Sequence, residues 1–334
     1  MKRLKINFCG FWNSFDKKDN LFYNILSRHF QIEISDQPDF VICSNRGKPF
    51  EYMKYDCVRI MFMGENLSPD FTVFDYVIGF DFLNFGDRYF RLPFAIYADS
   101  GLPWRPAPLT IAQAEELLNK KTVFCNFIYR HPSSNGMRER LLHELSQYKP
   151  VVSPGGYMNN TGKKGCSWQE KYTYLEHSKF TIACDSISYP GFVTEKIVQP
   201  LQHHSIPIYY GSPDIKRDFN ESAFVWCRSD SVSDIKQTIE EVIYLDTHDD
   251  AYLKMLSCCP LPRQDQVSEQ YEALESFLLH IFSQSPEQAV RRVRYFCAEH
   301  HESLLKDCMK RGERNAFAAK IRKKRGHLLK DFDL

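Results

Sequence analysis

Residues 179–213 read KFTIACDSISYPGFVTEKIVQPLQHHSIPIYYGSP, which divides into an apolar run, a glycine-bearing turn, a helical pattern and a second apolar run. Strand, turn, helix, strand is the building unit of a parallel sheet, because parallel neighbours need a crossover of a dozen or more residues. Thr194, Glu195 and Lys196 fall in the first turn of the helix. Its free amide hydrogens and the positive end of the helix dipole make that turn a seat for phosphate, and a lysine adds a full charge. The same residues also fit a plain helix cap with Lys196 in water. Pro200 lies inside the helical pattern and must kink or shorten it unless the helix begins later.

The rhythm extends in both directions. Upstream, strands are predicted at 122–129, 150–153 and 180–184 with helices at 137–148 and 168–177, and the strand 206–211 closes the series. An earlier series places strands at 4–10, 40–43, 58–63 and 76–79 and a helix near 21–29. Two such series predict an α/β chain of two Rossmann-like, doubly wound halves. Ligands there bind beyond the carboxyl ends of the strands, so chemistry is expected in the loops after Met63, Tyr129, Ser153 and Cys184. Three prolines and a glycine within 98–108 mark a linker. The expected division is 1–108, 109–284 and a tail, 285–334.

With 334 residues, 43% of them hydrophobic, the chain can build two cores, which excludes a small disulfide-stapled scaffold. The eleven cysteines are an odd number, and Cys9, Cys43, Cys125 and Cys184 lie in apolar runs, so they are read as reduced thiols. No apolar stretch reaches the ~20 residues of a membrane span, and no secretory pattern follows the basic residues of 1–6. A cytoplasmic location is the expectation. Residues 306–330 carry ten Lys/Arg against Asp307 and Glu313, while the net charge is only +1, so the rest of the chain is mildly acidic. That excludes a nucleic-acid-binding core. Phe317, Ile321 and Leu328 recur at helical intervals among these bases, a pattern that fits peripheral contact with an anionic membrane or a solvated basic helix.

Two further stretches carry chemistry. In YRHPSSNGMRERLL (129–142) a strand end runs through a polar turn into a helix, with Arg138 in the first turn and Arg130 and Arg140 as rivals. An arginine fork can offset diphosphate charge without a metal. In IMFMGENLSPD (60–70) a strand ends at Gly-Glu-Asn, where Glu65 could take a proton from an attacking hydroxyl, or merely cap a turn. His203 and His204 are adjacent and face different sides of a helix, which is not metal-ligand spacing.

MGENLSPDFTVFDYVIGFDFLNFGDRYFRLP (63–93), YKPVVSPGGYMNNTG (148–162), GFVTEKIVQPLQHHSIPIYYGSP (191–213) and YLDTHDDAYLKML (244–256) together resemble the alpha-1,3-fucosyltransferases, especially the bacterial branch, in the family's order. The resemblance implies a GT-B architecture, with an N-terminal acceptor domain and a C-terminal GDP-fucose domain facing across a cleft. It implies inversion at the anomeric carbon without any metal cofactor. Glu65 would be the general base, Arg138 and Lys196 would hold the diphosphate, and Glu195 would bind sugar hydroxyls. Ser186, Phe192 and Thr194 complete the donor set.

The expected acceptor is an N-acetyllactosamine-type glycan, as in a lipopolysaccharide or capsule precursor, linked alpha-1,3 or alpha-1,4. This chain departs from the pattern at Asp185-Ser186, where the family commonly has Glu-Asn, and at Phe192, where it commonly has Tyr. Retaining GT-B enzymes often carry a second glutamate eight positions after the first; here that position is His203, which disfavours retention. Two other readings stand beside this one: a glycan- or nucleotide-binding protein without catalysis, and a transferase of another GDP-sugar.

Overall fold

A computed structural model describes residues 1–93, 104 and 106–330, with side chains up to 317. The chain forms two compact units. The first comprises 1–79, 83–91 and 273–334; the second comprises 80–82 and 92–272.

In the first unit the described strands are β1 (Arg3–Cys9), β2 (Gln31–Ile34), β3 (Phe40–Ser44), β4 (Val58–Phe62), β5 (Tyr76–Gly79) and β6 (Tyr89–Arg91), and helix α1 (Leu21–Leu26) connects the first two. All pairings are parallel, in the order β2-β1-β3-β4-β5-β6. The central strands β3 and β4 are buried along their whole length, as a parallel sheet covered on both faces requires, whereas β2 (QIEI) lies half-exposed at the edge. Asn20 starts α1 by accepting hydrogen bonds from the amides of Phe22 and Tyr23 at 3.1 and 3.0 Å.

The second unit holds β7 (Val123–Asn126), β8 (Val151–Val152), β9 (Ser178–Cys184), β10 (Ile206–Tyr210) and β11 (Val225–Trp226), again all parallel, in the order β11-β10-β9-β7-β8. Its described helices are α2 (Ile111–Leu118), α3 (Met137–Tyr148), α4 (Trp168–His177), α5 (Glu195–Gln202), α6 (Val232–Thr247) and α7 (Asp249–Ser257). The two-residue period of the strands makes the sheet doubly wound. Phe180, Ile182 and Cys184 face one core with Leu141 and Leu145 of α3, while Ala183 and Tyr209 face the other with Ile197, Val198 and Leu201 of α5. Pro200 lies inside α5, and the helix stops two residues later, at Gln202, so the amide it lacks is missing from the last turn.

The carboxyl-terminal segment differs from the expected separate tail. Helices α8 (Gln266–Ser283), α9 (Pro286–Ala289) and α10 (Cys297–Lys330) follow α7, and from Ala273 onward the chain belongs to the first unit. Phe282 is fully buried against Phe40 of β3, with ring centroids 4.9 Å apart, and Phe277 stacks on Phe90 at 5.4 Å. A buried ion network fixes the return. Asp75 accepts hydrogen bonds from the amides of Arg59, Arg291 and Arg292 at 2.8, 2.9 and 2.9 Å and pairs with the Arg292 guanidinium, and Arg59 donates to Glu302 at 2.8 Å. Burial lowers the Arg292 pKa, and Asp75 acts against that shift. Each buried charge thus has an opposite partner, without which the site would be strongly destabilising.

His301 and Glu313 tie the first half of α10 to Asp70 and Lys54 at 3.0 and 3.2 Å. Phe317 is exposed; the side chains of Ile321, Leu328 and the bases of 320–330, expected to form an amphipathic face, lie outside the described residues. So do residues 98–103 and 105 of the expected linker, and the main segment of the second unit begins at Leu92, before that linker.

Candidate donor-binding site

The second unit gathers its polar side chains at the carboxyl end of β9. Directly after Cys184 comes Asp185, 1% exposed, whose amide donates to the Tyr210 carbonyl of β10 at 2.8 Å. Its carboxylate accepts hydrogen bonds from the Thr194 and Tyr209 hydroxyls, the latter at 2.8 Å, and the Tyr209 oxygen accepts from the Ser212 amide at 2.8 Å. Ser212 Oγ in turn accepts from the Gly191 amide at 3.0 Å. One buried acid therefore ties the turn into α5 to the end of β10.

Gly191 has φ +78°, and a Cβ there would collide with the Phe80 carbonyl, so the turn into α5 requires glycine. Burial raises the Asp185 pKa to about 7 despite its two hydroxyl donors and nearby Lys196.

Thr194 is the N-cap of α5 and accepts from the Lys196 amide at 3.3 Å, which leaves Glu195 and Lys196 as the first two helical residues, as expected. Lys196 pairs with Glu195, and both side chains are about a quarter exposed or less. Burial pushes the Glu195 carboxyl up, but the charge and hydrogen bond of Lys196, its own backbone amide and Lys171 lower it overall. Lys171 on α4 reaches this helix through Gln199. A paired ammonium at a capped helix start is suited to receive an anion, since it keeps donors for a second partner.

Arg138 is the second residue of α3, as expected, but it is buried. Its Nε and Nη2 donate to the Cys184 carbonyl at 3.3 and 3.2 Å, its Nη1 donates to the carbonyls of His131 and Pro132 at 3.2 and 3.3 Å, and the guanidinium lies 4.2 Å from the Tyr129 ring centroid. Most of its five donors thus brace the β7–α3 turn against the end of β9. Neither rival is placed with it: Arg140 bonds the Asp230 carbonyl at 2.8 Å, and Arg130 is exposed.

Ser186 is exposed and its carbonyl accepts from Ser134 Oγ at 2.6 Å. Phe192 is 3% exposed, edge-on to Phe80 at 5.0 Å, so its ring fills the core under the turn. The histidine doublet is structural: His203 stacks on Tyr172 at 4.5 Å and meets Glu176 at 3.1 Å.

In the first unit, Glu65 stands just past the carboxyl end of β4, where its carboxylate is half-exposed and paired with Arg46 at 3.0 Å. Arg46 follows β3, and Asn45 beside it accepts from the Gly64 amide at 3.1 Å. The loops after adjacent strands thus meet around this acid. Sequence reasoning missed Arg46, Asp185 and Tyr209. The last two have a visible signal, an acid at a strand end and a tyrosine near the end of the next strand, but their contact depends on register.

Two parallel, doubly wound α/β units, one with a lysine-bearing capped helix start at the end of its central strand, define the GT-B class of glycosyltransferases. Residues 6–97 match the model of the alpha-(1,3)-fucosyltransferase FucT N-terminal domain, and residues 118–269 match that of the glycosyltransferase family 10 (fucosyltransferase) C-terminal domain. The chain belongs to this fucosyltransferase family, glycosyltransferase family 10.

It is 31% identical over 312 residues to alpha-(1,3)-fucosyltransferase FucT of Helicobacter pylori, a match covering 81% of this chain and 63% of that protein. The chain thus spans less than two thirds of that relative's length. It is also similar to crystal structures of an alpha1,3-fucosyltransferase with GDP (TM-score 0.67, 27% identity, 85% of this chain and 91% of that one) and with GDP-fucose (TM-score 0.69, 26% identity, 88% and 94%).

Proposed function

We propose that the chain transfers L-fucose from GDP-fucose to a hydroxyl of an N-acetylglucosamine-containing glycan of the N-acetyllactosamine type, through an alpha-1,3 or alpha-1,4 bond, inverting the anomeric carbon and using no metal. Membership of family 10 and the likeness to GDP- and GDP-fucose-bound structures support the donor. The observation that carries the reading is the start of α5, where the Asp185–Thr194–Tyr209 network holds Glu195 and Lys196 in place.

In this reading the diphosphate lies at the α5 amides, Lys196 offsets the charge that grows as the bond from the anomeric carbon to the phosphate oxygen breaks, and Glu195 turns to fucose hydroxyls. Ser186 and Thr194 line the same turn, Phe192 supports it from below, and Arg138 acts chiefly by fixing its floor. Glu65 takes the proton of the attacking hydroxyl as the new glycosidic bond forms, which requires its pair with Arg46 to loosen. Among the described residues no helix is long and apolar enough to cross a membrane. Peripheral contact with an anionic membrane through 306–330 is proposed from its ten Lys/Arg and the helical spacing of Phe317, Ile321 and Leu328 in the sequence.

The test is incubation with labelled GDP-fucose and lactosamine acceptors in EDTA, alongside GDP-mannose. Fucosylated product in chelator is expected. Transfer only from GDP-mannose, or GDP binding without transfer, would select one of the other two readings. Loss of turnover in EDTA that magnesium restores would remove the metal-free mechanism.

A further inference from the structure

The first unit carries an aromatic cluster that the donor chemistry does not use. Past the end of β1, Phe11 and Phe15 stack with centroids 3.9 Å apart, and both lean on the buried Phe8, at 6.0 and 5.4 Å. Trp12 sits edge-on to this pair, 5.9 Å from Phe11 and 5.3 Å from Phe15, and a turn bond from the Phe15 amide to the Trp12 carbonyl (3.1 Å) fixes the loop. Even so, 45% of Trp12 remains in water. An indole held rigid by neighbours yet left uncovered has a face available for a ligand, at little cost in side-chain freedom.

The position of this loop selects the ligand. β1, β3 and β4 are adjacent and parallel, so the loops after them share one edge of the sheet, the edge where such sheets bind ligands. The contacts are direct. The Gly47 amide donates to the Gly10 carbonyl at 2.6 Å, Gly10 at φ +70° packs so closely on Ser44 that a side chain would collide, and the β3 loop in turn carries the Arg46–Glu65 pair. The Gly10 amide is further held by Glu51 at 3.0 Å. The edge therefore offers an exposed indole, a carboxylate and a guanidinium through loops that brace one another. Flat apolar surface flanked by charged hydrogen-bonding groups fits a pyranose, which has an apolar C–H face and a rim of hydroxyls.

We propose that Trp12, held by Phe11 and Phe15, is the stacking platform for a pyranose ring of the acceptor glycan, and so a determinant of which acceptors are used. This rests on the transferase reading above.

The experiment compares wild type, Trp12→Ala, Trp12→Leu and Trp12→Phe for initial rates against N-acetyllactosamine at saturating GDP-fucose, and for GDP affinity by calorimetry. Covering about 50 Å² of indole is worth about tenfold in affinity. Trp12→Ala and Trp12→Leu should raise the acceptor KM about tenfold, Trp12→Phe should stay within about threefold, and GDP affinity should hold in all three. Trp12→Leu keeps apolar bulk against Phe15, so a loss there reports the ring and not the fold. Acceptor KM unchanged in Trp12→Ala, or lowered GDP affinity paralleling the KM change, would overturn the platform while leaving the transferase reading intact. A wild-type protein that forms no fucosylated product overturns both.

Discussion

Replacing Thr194 by valine keeps the shape of the side chain and removes one hydroxyl with two duties. It caps α5, through the 3.3 Å bond from the Lys196 amide, and it donates to the buried carboxyl of Asp185. Loss of an N-cap costs about 1 kcal/mol. Loss of the bond to Asp185 costs about 1 kcal/mol more while that acid is neutral, and about 2 kcal/mol when it is ionised. Asp185 decides which applies. Its pKa is raised by burial from 3.8 to about 7, so the folded state holds the proton more tightly than the unfolded chain.

Its contribution to stability is therefore complete below about 3.8, falls as pH rises to about 7 and is flat above, a span of about 4 kcal/mol at 1.36 kcal/mol per unit. Valine removes a bond that lowers this pKa, which extends the decline to higher pH. Thr194→Val should thus cost about 2 kcal/mol at pH 5 and about 1 kcal/mol more at pH 8.5, with Thr194→Ser close to wild type at both. Urea unfolding followed by circular dichroism at the two pH values measures this. An equal loss at both, or a serine variant as weak as valine, would refute the network.

Glu65→Ala should abolish fucosyl transfer with GDP affinity unchanged by calorimetry, and full turnover in that variant would remove the proposed base. Lys196→Ala should weaken GDP binding at least about tenfold, the worth of one charge-assisted contact, with little change in melting temperature. Arg138→Ala should differ by losing stability first, about 3 kcal/mol in denaturation, because four carbonyl contacts and the Tyr129 ring lose their partner. Asp75→Ala should destabilise the first unit by about 3–5 kcal/mol by stranding Arg292, seen as early unfolding in a thermal melt, and an unchanged melt would contradict the burial argument.

Most strands were legible because parallel strands covered on both faces are unbroken apolar runs, as VRIMF of β4 and FVICS of β3 show. β2, β6 and β11 escaped for the opposite reason. QIEI lies half-exposed at a sheet edge, and three- or two-residue strands carry too few side chains for a period. At the candidate site, the place of Thr194, Glu195 and Lys196 follows from a local strand–turn–helix pattern. The buried state of Asp185, the carbonyl cage around Arg138 and the pairing of Arg46 with Glu65 do not, because each is made by elements brought together only in the folded sheets. The same holds for the carboxyl-terminal return, whose decisive contact joins Asp75 to Arg292 across more than 200 positions.

That return makes the second unit, in genetic terms, an insertion within the first. A stop codon just before position 273 would spare every described strand of the second unit and yet strip the first of Phe277, Phe282 and Arg292. Nonsense mutations late in the gene should therefore cripple the amino-terminal half first, leaving a fragment that still holds the lysine-bearing helix start.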